Sequence, residues 1–497
     1  MFNKEIKSVS LVGVGPGDEK LLTLRACECI ETADVIVYDN LINPTILNRV
    51  KINAKLIYAG KISGNHYLTQ DKINETIAEH ALTGEYVVRL KGGDPYIFGR
   101  GGEEAEYLLE RNIDFEIVHG VSSFYAGLGY AGIPVTFRGE AAEFHVFTGH
   151  KKQGEELDLN FKNIAKLDGS LVFLMGISNL SLIAQGLLSN GMDPDIGAAV
   201  IENGTRYNQR VFRGKLSNIE EIAKRENIIS PALIVVGDVC KKNLTFFQKH
   251  ILPLSGKNIL LTATRGLVEK MSPEFKKLGA NTCEMSLIAT KEIEIDKERF
   301  VSELKLATHV LFTSSNGVDI FFEKIKNYDI DIRSLYNKKI CVIGSGSSEA
   351  LKKYGVNADF IPSKFDSKSF VEEILPKLDK KSRVLMLRAK LGNDNLPNGL
   401  KKAGIEFSDI PIYDTIIDHR RSFELNKEIK KFDYVVVASA SAAKALCEMI
   451  EDKSALLNRV VSIGPVTTKA LREFGIEELI TAKQYDVKGI VDAIKKL

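Results

Sequence analysis

An apolar, β-branched run that ends in glycine, serine or threonine and opens into a helical pattern recurs along the whole of this chain. That unit constrains the fold most, because buried strands joined through helices build α/β sheets. It reads SVSLVGVG at 8–15, EYVVRLKGG at 85–93, SLVFLMG at 170–176 and SPALIVVGDV at 230–239. It then reads HVLFTSSNG at 309–317, KICVIGSGS at 339–347, YVVVASAS at 434–441 and VVSIGP at 460–465. Spread over 497 residues, the pattern implies an α/β protein of several domains. The pattern restarts after Gly139 and again after the mixed segment 241–257, where the main boundary is expected.

Charge and cysteine usage narrow the function. A net charge of +2 gives no bulk attraction for nucleic acid or a membrane surface, so an anionic ligand must be held by local clusters. The six cysteines are scattered; Cys27 and Cys29 have no second pair nearby, so no metal site is expected and a reduced cytoplasmic protein is. The N-terminus leads straight into a strand, with no expected signal peptide or membrane span.

The stretch Arg89–Glu104, RLKGGDPYIFGRGGEE, combines five glycines with Arg89, Lys91, Asp94, Arg100, Glu103 and Glu104. Glycine lets backbone approach a ligand, and Pro95 fixes one turn. Following an apolar strand, the loop lies where open parallel sheets bind ligands. The earlier loop through Gly13, Gly15 and Gly17, with Asp39 some 20 residues on, mimics a dinucleotide motif. Asp18 stands where a third glycine is needed, and Pro16 removes an N–H, which counts against a nucleotide-dependent oxidoreductase. Ser122 and Ser123 can cap a helix or contact a ligand on the glycine loop. In the C-terminal half Ser314, Ser347, Ser439 and Thr467 sit in four turns that open helices, where free N–H groups and hydroxyls suit carboxylates.

Residues 8–245 resemble uroporphyrinogen-III C-methyltransferases of the tetrapyrrole methylase superfamily. The motifs are VGVGPGD, YDNL, GK…GNH…Q…IN, the Arg89–Glu104 run, GVSS, GIPVTFRG, TGH, MG, ENGT and SPALIVVGDV. Residues 256–497 resemble uroporphyrinogen-III synthases through LTATR, FTSSNGV, IGSGSSEAL, LMLRA, PIYDT, SASAAKAL and IGPVTTKAL. The resemblance implies a two-domain methylase fold at 1–245 (about 1–135 and 140–245), a linker at 246–255, and a two-domain flavodoxin-like α/β synthase fold at 256–497. The synthase domains would combine about 256–288 with 417–497, and span about 291–414, facing across a cleft.

By the same resemblance the chain cyclises hydroxymethylbilane to uroporphyrinogen III. It then methylates C2 and C7 with S-adenosylmethionine, giving precorrin-2 for cobalamin or sirohaem synthesis. Methyl-donor contacts fall on Pro16, Gly92, Gly93, Asp94, Ile97, Ser122, Ser123, Met175, Gly204 and Ala232. Asp39 becomes the proton acceptor and Lys61 the donor, while Arg100, Glu103 and Arg138 meet the macrocycle. Tyr413 is the candidate acid of cyclisation, with Ser314, Ser347, Ser439 and Thr467 on substrate carboxylates. No metal is implied, nor any cofactor for the synthase half, and methylase relatives suggest a homodimer through that half. A second reading joins the methyltransferase to a non-catalytic two-lobed sensing module.

Overall fold

Most strands form where the apolar runs lie, with successive side chains entering opposite faces of the sheet. The computed structural model describes residues 8–60, 69–150, 159–244, 252–364, 367–373, 375–392 and 394–496. Two compact units emerge, one of residues 1–286 with 420–497, the other of residues 287–419.

In the first unit, β1 (Val9–Gly13), β2 (Val35–Tyr38), β3 (Lys55–Tyr58), β4 (Val87–Lys91) and β5 (Phe115–Val118) form a parallel sheet ordered β3-β2-β4-β1-β5. Val12, Ile36, Val88 and Leu90 pack on one face with Ala26, Cys29 and Ile30 of the helix Leu24–Thr32. Val9, Leu11, Val35, Val37 and Val87 pack on the other with Ile73, Ile77 and Ala78 of the helix Gln70–Leu82. Alternate side chains on opposite faces, each under a helix, are what continuous apolar strands require.

The next sheet is mixed: β6 (Phe144–Thr148), β7 (Ser170–Leu174), β8 (Gly197–Glu202), β9 (Arg210–Lys215) and β10 (Ala232–Val236), ordered β6-β7-β10-β8-β9. β10 runs antiparallel to both neighbours, and β8 and β9 form an antiparallel pair. A third, parallel sheet combines β11 (Asn258–Thr262) and β12 (Asn281–Glu284) with Tyr434–Val437, Val460–Ser462 and Leu479–Thr481 from much later in the chain. Within this unit the short 3₁₀ segment Pro44–Arg49 lies against β12. Asn48 Nδ2 donates to the Glu284 carbonyl at 2.9 Å, and the Glu284 N–H donates to Thr45 Oγ1 at 3.2 Å. Arg421, 1% exposed, donates to Asn48 Oδ1 at 2.9 Å and to the Pro44 carbonyl at 2.7 Å.

The second unit holds one sheet of β13 (Ile288–Glu292), β14 (His309–Phe312), β15 (Lys339–Val342), β16 (Arg383–Ala389) and β17 (Glu406–Ile417), ordered β13-β17-β16-β14-β15. Only β13 is antiparallel. Residues 246–251 of the expected linker lie outside the described residues. No helix among those described is long and apolar enough to cross a membrane.

Candidate active site

Three loops meet at the carboxyl ends of the adjacent strands β4, β1 and β5, and glycine makes their approach possible. Gly15 and Gly93 exchange backbone hydrogen bonds of 3.2 and 2.8 Å, joining the loop after β1 to the loop after β4. A Cβ on Gly120 would lie 2.3 Å from the Gly93 carbonyl oxygen and 2.6 Å from the carbonyl carbon of Gly13. No other residue permits backbones that close. Asp94, nearly buried, ties the loops from its side chain. Its Oδ1 accepts from the Tyr96 N–H at 2.8 Å, and its Oδ2 accepts from the Gly120 N–H at 3.1 Å, with His119 Nδ1 at 2.9 Å. Gly92 lies beside Leu41, and Pro16 is half-buried between Gly15 and Gly17.

Ser122 occupies the N-cap position of the helix Ser123–Tyr130, is buried, and makes no capping hydrogen bond with its side chain. The usual structural use of a serine at this place is therefore absent. Ser123 begins the helix, with its N–H close to Gly93. Tyr96, Ile97 and Phe98 form an exposed apolar run at the tip of the β4 loop, with Phe98 and Arg100 at positive φ. Met175, also at positive φ and 47% exposed, follows the end of β7 in the second sheet. It shares with Pro95, Tyr96, Phe98, Arg100 and Glu103 an open groove of about 620 Å³. Gly204 packs against Gly127 of the Ser123 helix, where a Cβ would stand 3.1 Å from its Cα. The adjoining Thr205 accepts from the Asp18 N–H at 3.1 Å, drawing the loop after β8 onto the loop after β1. Ala232 pairs with Glu202 at the start of β10.

The charges of the β4 region divide in a way the sequence reading did not foresee. Arg89 and Lys91 alternate on one side of β4 and are both buried with Glu104 of the following helix. Arg89 Nη2 donates to Asp39 Oδ2 at 2.9 Å and Nε to Glu104 Oε1 at 3.3 Å; Lys91 Nζ stands 2.7 Å from Glu104 Oε2. Two cations and two carboxylates thus neutralise one another beneath the loops. Burial, together with the charge of Arg89, pushes the Lys91 ammonium below its ordinary range. Two cations at alternate positions of an otherwise apolar strand are the signal that could have found this cluster. Asp39 is consequently engaged, its Oδ1 also accepting from the Leu41 N–H at 2.9 Å. Lys61 lies outside the described residues. Arg100 and Glu103, expected to meet a ligand separately, form a bidentate pair of 2.9 and 2.6 Å on the surface. Arg138 is exposed in the turn after Phe137.

In the second unit Tyr413 is 6% exposed on β17, and its hydroxyl lies 2.7 Å from Ser314 Oγ. Ser314 also accepts from the Gly317 N–H at 3.1 Å, capping the helix Ser315–Asn327. Burial raises the Tyr413 phenol above its usual value. Ser347 is buried in the first turn of the helix Ser345–Lys352. In the first unit Ser439 caps the helix Ala440–Met449, accepting from the Ala442 N–H at 3.1 Å, and Thr467 is buried in the first turn of the helix Pro465–Glu473. Among the described residues, no group of His, Cys, Asp and Glu could hold a metal ion.

These observations meet comparisons with known proteins. A profile described as Tetrapyrrole (Corrin/Porphyrin) Methylases matches residues 8–220, and one described as Uroporphyrinogen-III synthase HemD matches residues 269–492. A protein of Ruminiclostridium josui named "Porphyrin biosynthesis protein HemD" is 35% identical over 98% of this chain and 98% of its own length. The "Uroporphyrinogen-III C-methyltransferase" of Bacillus subtilis (strain 168) is 37% identical over 70% of this chain and 71% of its own. The "S-adenosyl-L-methionine-dependent uroporphyrinogen III methyltransferase" of Methanosarcina barkeri is 48% identical over 46% of this chain and 91% of its own. The chain belongs to the family that joins a tetrapyrrole methylase to a uroporphyrinogen-III synthase, and it is a bifunctional enzyme of tetrapyrrole biosynthesis.

Proposed function

We propose that residues 256–497 close hydroxymethylbilane into uroporphyrinogen III, and that residues 1–245 methylate that product at C2 and then C7 to give precorrin-2. The observation that carries the methylase reading is the junction of three glycine loops with an uncommitted, buried Ser122 hydroxyl at one sheet's carboxyl edge. Such an edge accepts a ligand against bare backbone. S-adenosylmethionine, when bound, supplies an electrophilic methyl group. The chain holds it with Pro16, Gly92, Gly93, Asp94, Ser122, Ser123, Gly204 and Ala232, and with Ile97 and Met175 as apolar contacts. Catalysis is then chiefly positioning. Asp39 receives the proton lost from the methylated ring and Lys61 gives one where needed, while Arg100, Glu103 and Arg138 orient the macrocycle.

In the synthase half, Tyr413 donates to the departing hydroxyl of hydroxymethylbilane. Its hydroxyl is supported by Ser314, and burial keeps it protonated. Ser314, Ser347, Ser439 and Thr467 hold acetate and propionate groups at their helix starts. This half works without a cofactor. The protein acts in the cytoplasm as a homodimer through its methylase half and feeds cobalamin or sirohaem synthesis. The test is to give the full chain hydroxymethylbilane alone and resolve the isomers formed. Uroporphyrinogen III is expected; the type I isomer alone would refute the synthase reading.

A further inference from the structure

Within the first unit, a pocket of about 570 Å³ is walled on one side by residues near Asp39 and on the other by the helix Ser422–Glu428, which the reading above places in the synthase half. That helix is held firmly. The Phe423 ring lies 4.4 Å from the ring of Tyr58, Tyr38 donates to Glu424 Oε1 at 2.5 Å, and Tyr207 donates to Glu428 Oε2 at 2.9 Å. Four cations line the pocket. Arg210 is paired with Glu202 at 2.5 Å and Lys431 with Glu428 at 2.8 Å. Lys427 and Arg206 have no carboxylate partner among the described residues. Lys427 donates to Asn40 Oδ1 and Arg206 to the Leu41 carbonyl, the two residues that follow Asp39. Desolvation holds both below their ordinary pKa ranges.

The carboxylates of the same pocket are already engaged: Asp39 by Arg89, Glu202 by Arg210, and Glu428 by Tyr207 and Lys431. Glu424 Oε2 is the exception, a buried acceptor with no hydrogen-bond partner. Cations bound only to neutral acceptors, beside an unfilled carboxylate oxygen, call for a ligand bearing both carboxylates and N–H groups. Resting on the methylase reading above, we propose that Lys427, together with Arg206, binds a side-chain carboxylate of the tetrapyrrole to be methylated, with Glu424 accepting from a pyrrole N–H. The methylase site is thereby completed by a helix from the synthase half of the same chain.

The test uses the full-length chain and steady-state methylation of uroporphyrinogen III. Lys427→Gln is expected to raise KM for uroporphyrinogen III about tenfold, equivalent to about 1.4 kcal/mol. KM for S-adenosylmethionine and the rate of cyclisation should stay unchanged, and Lys427→Arg should restore the wild-type KM. A Lys427→Gln enzyme with KM within twofold of wild type overturns the proposal. A measurement free of variants runs beside it: acetic anhydride labelling of the unaltered chain with and without uroporphyrin III, read by mass spectrometry. Protection of Lys427 is expected, and labelling that the porphyrin does not alter is contrary. A wild-type chain that fails to methylate uroporphyrinogen III at all would instead remove the reading on which the proposal rests.

Discussion

Asp94 braces its own loop through Tyr96 and joins it to the loop after β5 by accepting from Gly120 and His119, so its removal acts on the methyl-donor site through backbone placement as well as contact. Asp94→Ala leaves two N–H groups without their acceptor, at a cost of about 1–3 kcal/mol each where they stay buried. Affinity for S-adenosylhomocysteine, followed by calorimetry, should fall beyond detection and methylation should cease, with cyclisation unchanged. Loss of both reactions would contradict this division of labour. Tyr413 gives a second residue-scale expectation. Its folded-state pKa lies above its unfolded value near 10, so folding favours the protonated phenol. That contribution is complete below about pH 10 and is lost as pH rises through the folded-state value. A cyclisation profile should therefore show no alkaline limb from Tyr413 below about pH 10. Tyr413→Phe should lower cyclisation about 100-fold without touching methylation.

At the scale of elements, the loops after β1, β4 and β5 function as one object because Gly13, Gly93 and Gly120 lack side chains. Gly120→Ala would push a methyl group into the Gly93 carbonyl, where only backbone movement can relieve it. An overpacking cost of about 1–3 kcal/mol is expected, with at least a tenfold loss of S-adenosylhomocysteine affinity by titration. Wild-type affinity in this variant would mean that the loops separate freely.

Much at this scale was legible. The apolar runs marked β1, β4, β7, β10, β14 and β15, and the small-residue turns marked the helix starts at Ser315, Ser345, Ala440 and Pro465. The hairpin strand β9 was not, because its residues are half-exposed and carry Arg210, Arg213 and Lys215 rather than an apolar run. The pairing of Arg100 with Glu103 escaped for another reason. Residues three apart on a helix start satisfy each other unless the fold separates them, and motif reading considers each alone.

Across the whole molecule, the least legible feature is the contact between segments hundreds of residues apart. Arg421 reaching Pro44 and Asn48, and Glu424 reaching Tyr38, leave no trace in local pattern, since each side looks like an ordinary helix, turn or strand end until the two are brought together. Arg421→Ala should destabilise the first unit by about 3–6 kcal/mol, because it removes two hydrogen bonds made by a charged group in a buried site, each worth about 1.5–3 kcal/mol. Scanning calorimetry should show its transition several degrees lower, and an unchanged transition would place that contact outside the solution structure.

The central claim is that one polypeptide performs two consecutive reactions. It is tested most directly by incubating the intact chain with hydroxymethylbilane and S-adenosylmethionine and following the products by mass spectrometry. Uroporphyrinogen III that gains one and then two methyl groups is the predicted result. Unmethylated uroporphyrinogen I as the sole product would contradict it.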